Sequence, residues 1–334
     1  MRLVLVTQRV DEDDPALGAT VAKIRALAAL LDELVVLALD AAPTKLPANV
    51  RVRTFGSGGR ARRTAQLSSA LAAELRPRPV AVLAHMAPVY AVVAAPLVRP
   101  ARVPLLLWFT HWRDSPLLRL AERVSTRVLS VDALSFPFPT SKLVSVGHGI
   151  ELGPPAPPRR DDGRVRLLAL GRTSPAKGLV PIIEAVRSVP EAELEIRGPS
   201  LTDEERQHRE ELAALGVRVE PPVAHANVHD VYAQTDALVN NMRAGALDKV
   251  VYEAAGAGLP VIVASAGFDP LVAGTDPSLR FVQDDPDSIA DRIRGLVAAG
   301  PERRHALGAE LRLRVERDHS VERWANRVLE AAAR

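Results

Sequence analysis

This 334-residue sequence predicts an α/β protein with two doubly wound, Rossmann-like domains facing a cleft, followed by a C-terminal helix. Three observations predict it. Short, continuously apolar runs alternate with amphipathic ones almost throughout, the pattern of parallel sheets covered on both faces. The alternation is interrupted once by a Pro-, Gly- and charge-rich stretch, "GIELGPPAPPRRDDGR" (149–164), and then restarts. The length suits two domains of ordinary size.

In the first half the strand-like runs are "RLVLVT" (2–7), "ELVVLAL" (33–39), "VRVRTF" (50–55), "VAVLAH" (80–85), "VPLLLWFT" (103–110), "RVLSVD" (127–132) and "KLVSVG" (142–147). Amphipathic runs such as "ATVAKIRALAALLDE" and "RTAQLSSALAAELR" lie between them. After the interruption come "VRLLAL" (165–170), "ELEIRG" (193–198), "VRVE" (217–220), "DALVNN" (236–241), "PVIVAS" (260–265) and "RFVQ" (280–283), again separated mostly by helical segments. The division expected is a first domain over 1–150, a linker over 151–164, a second domain over 165–317 and a helix over 318–334 that packs back on the first domain.

Composition narrows the function. The chain is 47% hydrophobic and 25% charged, an ordinary globular balance. It has no cysteine, which excludes disulfides and thiolate metal sites. No stretch reaches the roughly 18–20 continuous apolar residues of a membrane span. "MRLVLVTQRV" reads as a buried strand rather than a signal peptide, so a cytoplasmic location is expected. His225 and His229 have metal-like spacing but no evident third ligand, and read as a solvated helix face. The net charge is +3, unevenly spread: residues 1–150 hold 19 Lys and Arg against 11 Asp and Glu, and the remainder hold 24 against 29. No metal, separate cofactor or nucleic-acid partner is expected.

In doubly wound sheets ligands bind beyond the carboxyl ends of the strands, so chemistry is sought there. The loop after the first strand lacks G-x-G-x-x-G, which argues against a dehydrogenase. Its Gly18 opens a helix, either as an anion site or as a simple turn. His111 leaves the sheet in "FTHW", placed to donate to a hydroxyl or phosphate, or else to cap the chain beneath Trp112. "LALGRTSPAKGL" (168–179) sets Arg172 and Lys177 around a tight turn after Gly171, ahead of a helix. Two fixed cations there suit a diphosphate better than a carboxylate. "EIRGPSLTDEE" (195–205) brings Gly198 and Pro199 to a strand end, where a flat base can approach, although Ser200–Thr202 also read as helix capping. Finally, "NNMRAGALDKVVYEAAGAGLPVIVAS" (240–265) begins a helix with small residues and carries Glu253, whose carboxylate can accept both ribose hydroxyls.

"GRTSPAKGL", "RGP", "LDKVVYEAAGAGLPVIVAS" and "GHGIE" occur in the order found in the GT-B glycosyltransferases of glycosyltransferase family 4, which this sequence resembles along its length and most strongly over 165–265. The resemblance implies a retaining, metal-independent transferase that uses a nucleotide-diphosphate sugar. It implies that Arg172 and Lys177, beginning at Gly171, neutralise the donor diphosphate. It places Arg197, Gly198 and Pro199 at the base, Glu253 at the ribose, His111 near the transferred sugar and Gly18 near donor phosphate and acceptor. The family's first glutamate falls on Gly245, and backbone N–H groups of Ala246, Leu247 and Asp248 are the substitutes expected. The expected acceptor is a hydroxyl on a sugar, glycolipid or small molecule. Arg60, Arg62 and Arg63 suggest a peripheral contact with the inner membrane face, or a solvated loop. Two other readings stand beside the transferase: a sugar-nucleotide epimerase on the same fold, and a non-catalytic sugar-nucleotide binding protein, for which Gly245 speaks.

Overall fold

The computed structural model describes residues 1–14, 17–157, 162–243 and 247–333. They divide into two compact units, Met1–Gly149 with Asp318–Arg334, and Ile150–Arg317.

The first unit holds a seven-stranded parallel sheet of β1 (Arg2–Val10), β2 (Glu33–Ala41), β3 (Val50–Thr54), β4 (Ala81–His85), β5 (Leu105–Trp108), β6 (Arg127–Ser130) and β7 (Leu143–Ser145). Its spatial order is β3-β2-β1-β4-β5-β6-β7. The order reverses direction between β1 and β4, which opens a crevice at their carboxyl ends. Helices α1 (Ala19–Ala28), α2 (Arg60–Ala73), α3 (Pro88–Val98) and α4 (Pro116–Val124) cross between strands. The central strands are apolar on both faces because helices cover both. On one side Val4, Val6, Val35, Leu37, Val82 and Leu107 meet Leu67 and Leu71 of α2 and Ala91 and Ala95 of α3. Helix α4 starts where Ser115 accepts from the Leu118 amide at 3.1 Å and Pro116 occupies the first turn.

The second unit repeats the plan with five parallel strands: β8 (Val165–Leu170), β9 (Ala192–Arg197), β10 (Val219–Glu220), β11 (Ala237–Asn240) and β12 (Val261–Val263). The order β10-β9-β8-β11-β12 places the switch between β8 and β11. The crossing helices are α5 (Leu179–Arg187), α6 (Asp203–Ala214), α7 (Val228–Tyr232), α8 (Lys249–Gly256) and α9 (Asp269–Val272). A long helical segment, α10 (Pro286–His319), is broken at Gly300, whose φ of 70° precedes Pro301.

The run 280–283, expected as a strand, is not one. Arg280 makes a single isolated bridge to Val263, and Phe281 donates its amide to the Val263 carbonyl at 3.2 Å. The chain then turns at Asp284, which has a φ of 57° and donates its amide to the Asn241 side chain at 3.0 Å. Side-chain capture of that backbone ends the ladder after one rung.

The C-terminal helix α11 (Val321–Ala333) belongs to the first unit and packs on α1. Trp324 is fully buried edge-on against Trp108, with ring centroids 5.7 Å apart. The Lys23 ammonium of α1 sits over both indoles, 6.0 and 5.6 Å from their centres.

Candidate functional site

The switch point of the second unit collects the residues singled out at its strand ends. After β8 the chain turns at Gly171, with a φ of 124°, and passes through a single helical turn (Pro175–Lys177) capped by the Ser174 hydroxyl. Gly178 then adopts the left-handed conformation (φ 57°, ψ 47°) that starts α5. This tight path folds Lys177 back over its own strand. Its Nζ donates to the Leu170 carbonyl at 3.1 Å and to the Asp248 carboxylate, which also accepts from the Asn240 amide at 3.0 Å. Asn240 ends β11, so the two strands flanking the switch deliver the ammonium and its anion to one place.

Arg172 lies on the other side of the turn and is half exposed. Its guanidinium is 3.2 Å from Glu205, whose carboxylate is buried. Glu205 is fixed in turn by the amide of Leu201 at 2.6 Å, while Thr202 accepts from the Glu205 amide at 3.2 Å. Reciprocal bonds of this kind start a helix, and here the same glutamate orients a candidate site cation. Thr202 thus caps α6, whereas the Ser200 hydroxyl bonds that of Thr173 at 2.6 Å.

The loops after β8 and β9 are stitched together. Gly171 donates to the Arg197 carbonyl at 3.0 Å, and Thr173 to the Pro199 carbonyl at 3.1 Å. Gly198, at φ 153°, lies so close to this neighbour that a Cβ would stand 1.9 Å from the Gly171 carbonyl oxygen. Gly198 and Pro199 therefore line the same rim as Gly171. The Arg197 side chain does not: it turns to Glu195 at 2.6 Å and to the Pro221 carbonyl at 3.2 Å, away from Lys177.

Helix α8 brings the remaining group. Leu247 is buried and packs against Gly267, and Asp248 is the N-cap residue. Glu253, almost wholly buried, accepts from Lys249 one turn earlier at 2.7 Å and lies 3.7 Å from His225. Gly245 and Ala246 lie outside the described residues. Asn240, Glu205, Lys249, His225 and Tyr232 were not legible as members of this site. The buried Tyr232 hydroxyl has no hydrogen-bond partner among the described residues. Burial first, and then the charges of Glu253 and Asp248, push it well above the usual phenol range.

His225 and His229 diverge rather than share a face. His225 sits in a helical turn (His225–Asn227) facing Glu253, whereas the ring of His229 lies against Gly153 and Tyr232. Among the described residues, no group of three or more metal-type side chains converges.

In the first unit, Gly18 caps α1 with a φ of −54°, a conformation open to any residue, and its amide donates to the Asp14 carbonyl at 2.9 Å. His111 is exposed where the chain leaves β5. Its ring stacks on Trp112 with centroids 5.5 Å apart, and Nδ1 accepts from the Arg113 amide at 2.9 Å. The neutral ring then carries its proton on Nε2. The switch point itself holds a pair that sequence patterning concealed inside apolar strands: Thr7 of β1 and His85 of β4, 3.1 Å apart and buried. Burial, assisted by Lys23, lowers the His85 pKa to about 3, so the ring is neutral at ordinary pH.

Comparison with known proteins agrees with the fold. Residues 164–299 match the family model described as Glycosyl transferases group 1. No curated protein sequence matches the chain. Among solved structures, sucrose-phosphate synthase from Thermosynechococcus elongatus is similar with a TM-score of 0.78 at 17% identity, covering 98% of this chain and 97% of that one. HepE of Anabaena in complex with UDP has a TM-score of 0.74 at 16% identity, with 99% of each chain covered. WaaG, a glycosyltransferase involved in lipopolysaccharide biosynthesis, has a TM-score of 0.68 at 14% identity, with 98% of each chain covered. Residues 164–299 thus resemble a glycosyl transferases group 1 domain, and the fold of the chain is the two-domain, Rossmann-like one of these glycosyltransferase structures.

Proposed function

We propose that this chain is a retaining transferase that moves a sugar from a nucleoside-diphosphate donor to a hydroxyl acceptor without a metal ion. The observation that carries the reading is the gathering of Arg172, Lys177 and the N-terminus of α8 at one switch point. Two cations, each held by a carboxylate in the free chain, and a helix N-terminus meet where a departing diphosphate gains negative charge; once turned to the donor they stabilise the transition state more than the ground state. The Anabaena protein's complexes with UDP and with UDP-glucose support a nucleotide-sugar donor.

The roles follow from chemistry. Arg172 and Lys177 hold the diphosphate. The rim of Gly171, Gly198 and Pro199 admits the base close to the backbone, and Glu253 accepts the ribose hydroxyls. Backbone N–H groups of Ala246, Leu247 and Asp248 are the expected substitutes for the family's first glutamate, Ala246 lying outside the described residues. In the first unit, Gly18 serves the acceptor side, and His111 donates from Nε2 to a hydroxyl of the transferred sugar. A donor phosphate oxygen takes the acceptor's proton on the face from which the diphosphate leaves, which retains configuration.

The reading includes a cytoplasmic location with peripheral contact at the inner membrane face. Arg60, Arg62 and Arg63 are exposed in the first turn of α2, and α4 presents Leu117 and Leu120, each 43% exposed. Among the described residues no helix is long and apolar enough to cross a membrane. Co-sedimentation with anionic vesicles that fails, or that survives an Arg60/Arg62/Arg63→Ala variant, would leave a water-soluble acceptor.

The deciding experiment supplies a panel of nucleotide sugars with and without sugar, glycolipid and small-molecule acceptors, in the presence of a chelator. The expected result is acceptor-dependent release of nucleoside diphosphate and a product with the donor's anomeric configuration. Diphosphate release or sugar inversion without acceptor favours an epimerase. Tight binding with no turnover favours a binding protein.

A further inference from the structure

Asp248 occupies the cation that the proposed donor requires. As the N-cap residue of α8, an aspartate ordinarily accepts amide hydrogens from the first turn. Here it makes no such bond. Its carboxylate turns instead to the Lys177 ammonium and to the Asn240 amide, the latter at 3.0 Å. Lys177 and Asp248 are largely shielded from water, with side chains 14% and 19% exposed. A carboxylate there does two things at once. It neutralises Lys177, and it sets a negative charge at the helix end where anions are otherwise favoured. Two other cations at the site are paired in the same manner, Arg172 with Glu205 at 3.2 Å and Lys249 with Glu253 at 2.7 Å. Each of these three cations therefore has a carboxylate partner before any ligand arrives.

We propose that Asp248 is a specificity-determining residue that competes with the donor's phosphate oxygens for Lys177, so that the donor binds only by exchanging one anion for another. The inference rests on the donor reading given above. Its consequence is that this glycosyltransferase holds nucleoside diphosphates loosely and discriminates among donors by their base and sugar contacts rather than by charge. Lys177 is the switch partner: it leaves Asp248 for phosphate when donor binds and returns when the product diphosphate leaves.

The test uses the full chain and its Asp248→Asn form. Asparagine keeps an oxygen able to accept from Lys177 and Asn240, and loses no helix-capping bond, so the fold is retained. Asp248→Ser provides a second neutral variant, checked by thermal unfolding. Calorimetry measures binding of uridine, adenosine and guanosine diphosphates and of the uncharged nucleosides. Removing one like charge from a partly buried phosphate site is expected to tighten diphosphate binding by about tenfold or more. Nucleoside binding is expected to stay unchanged, and the gain to vanish when Lys177→Met is added. Diphosphate affinity that is unchanged or weakened in both neutral variants overturns the proposal while leaving the donor reading intact. A gain that persists without Lys177 overturns it too, because competition for that cation is then not the cause. No diphosphate binding in any form overturns the proposal and the donor reading together.

Discussion

Replacing Lys177 with methionine removes the ammonium while keeping the length of the side chain. Among the described residues the native Nζ has two partners, the Leu170 carbonyl and Asp248. After the change Asp248 retains, among the described residues, the Asn240 amide as its side-chain hydrogen bond, in a position 19% exposed. Breaking a fully buried pair costs about 3–5 kcal/mol, and partial exposure reduces this here to about 1–3 kcal/mol. On the proposed donor reading, the transition state also loses a donor aimed at the leaving diphosphate, a separate effect of about 2–4 kcal/mol, or roughly 30- to 1,000-fold in kcat. A double-mutant cycle separates the two effects. Lys177→Met combined with Asp248→Asn removes the stranded carboxylate charge, so most of the stability returns in urea unfolding. The turnover rate, followed as acceptor-dependent release of nucleoside diphosphate, stays low. If turnover recovers together with stability, Lys177 is a structural partner of Asp248 and its role at the diphosphate is refuted. A Lys177→Met form that retains kcat within threefold refutes that role directly.

In the first unit Glu74 accepts from Arg51, Arg53 and Arg2, and these contacts, led by the Arg51 hydrogen bonds, lower its pKa from 4.5 to about 2. The lowered value means that the stabilisation is complete above pH 4.5 and is lost as pH falls towards 2. With Arg51 and Arg53 half exposed it amounts to about 2 kcal/mol, so Glu74→Gln should be that much less stable at pH 7 and indistinguishable from the native chain near pH 2. His85 acts in a different window. Its folded pKa of about 3 lies below the usual 6.5, so the unfolded chain takes up a proton that the folded one refuses. Stability should fall as pH drops below 6.5, by up to about 1.4 kcal/mol per pH unit, and His85→Gln should flatten the profile between pH 6.5 and 4.5 in urea titrations. Gly198→Ala forces apart the loops after β8 and β9, because its Cβ meets the Gly171 carbonyl at 1.9 Å. A loss of about 1–3 kcal/mol with weaker nucleotide binding is expected by denaturation and calorimetry, and native values of both would refute the close approach.

Much of the scaffold was legible because its signal is local. Every run of the first half proposed as a strand is one, since an apolar stretch buried on both faces advertises itself residue by residue. The run 280–283 has the same local character, yet what ends it is Asn241, a partner 43 positions away that captures the backbone of Asp284. Arg172 and Lys177 could be singled out because a strand end, a glycine and two cations stand together within a dozen residues. Their partners Glu205, Asp248 and Asn240 could not be assigned to them. Glu205 looks like an ordinary helix-start acid, and Asn240 like the end of a buried strand, until the sheet order makes them neighbours.

By itself the sequence determined most of the elements, their alternation and the positions of the strand ends, all properties of short-range periodicity and turn chemistry. Tertiary structure alone decided which strand ends meet. The reversal of strand order between β8 and β11 sets Lys177 against Asp248, 71 residues on, and the reversal between β1 and β4 sets Thr7 against His85, 78 residues on. Such pairings depend on how separate strands are ordered in a sheet. That order is chosen by the packing of whole helices over whole strands, not by any segment a reader can inspect alone.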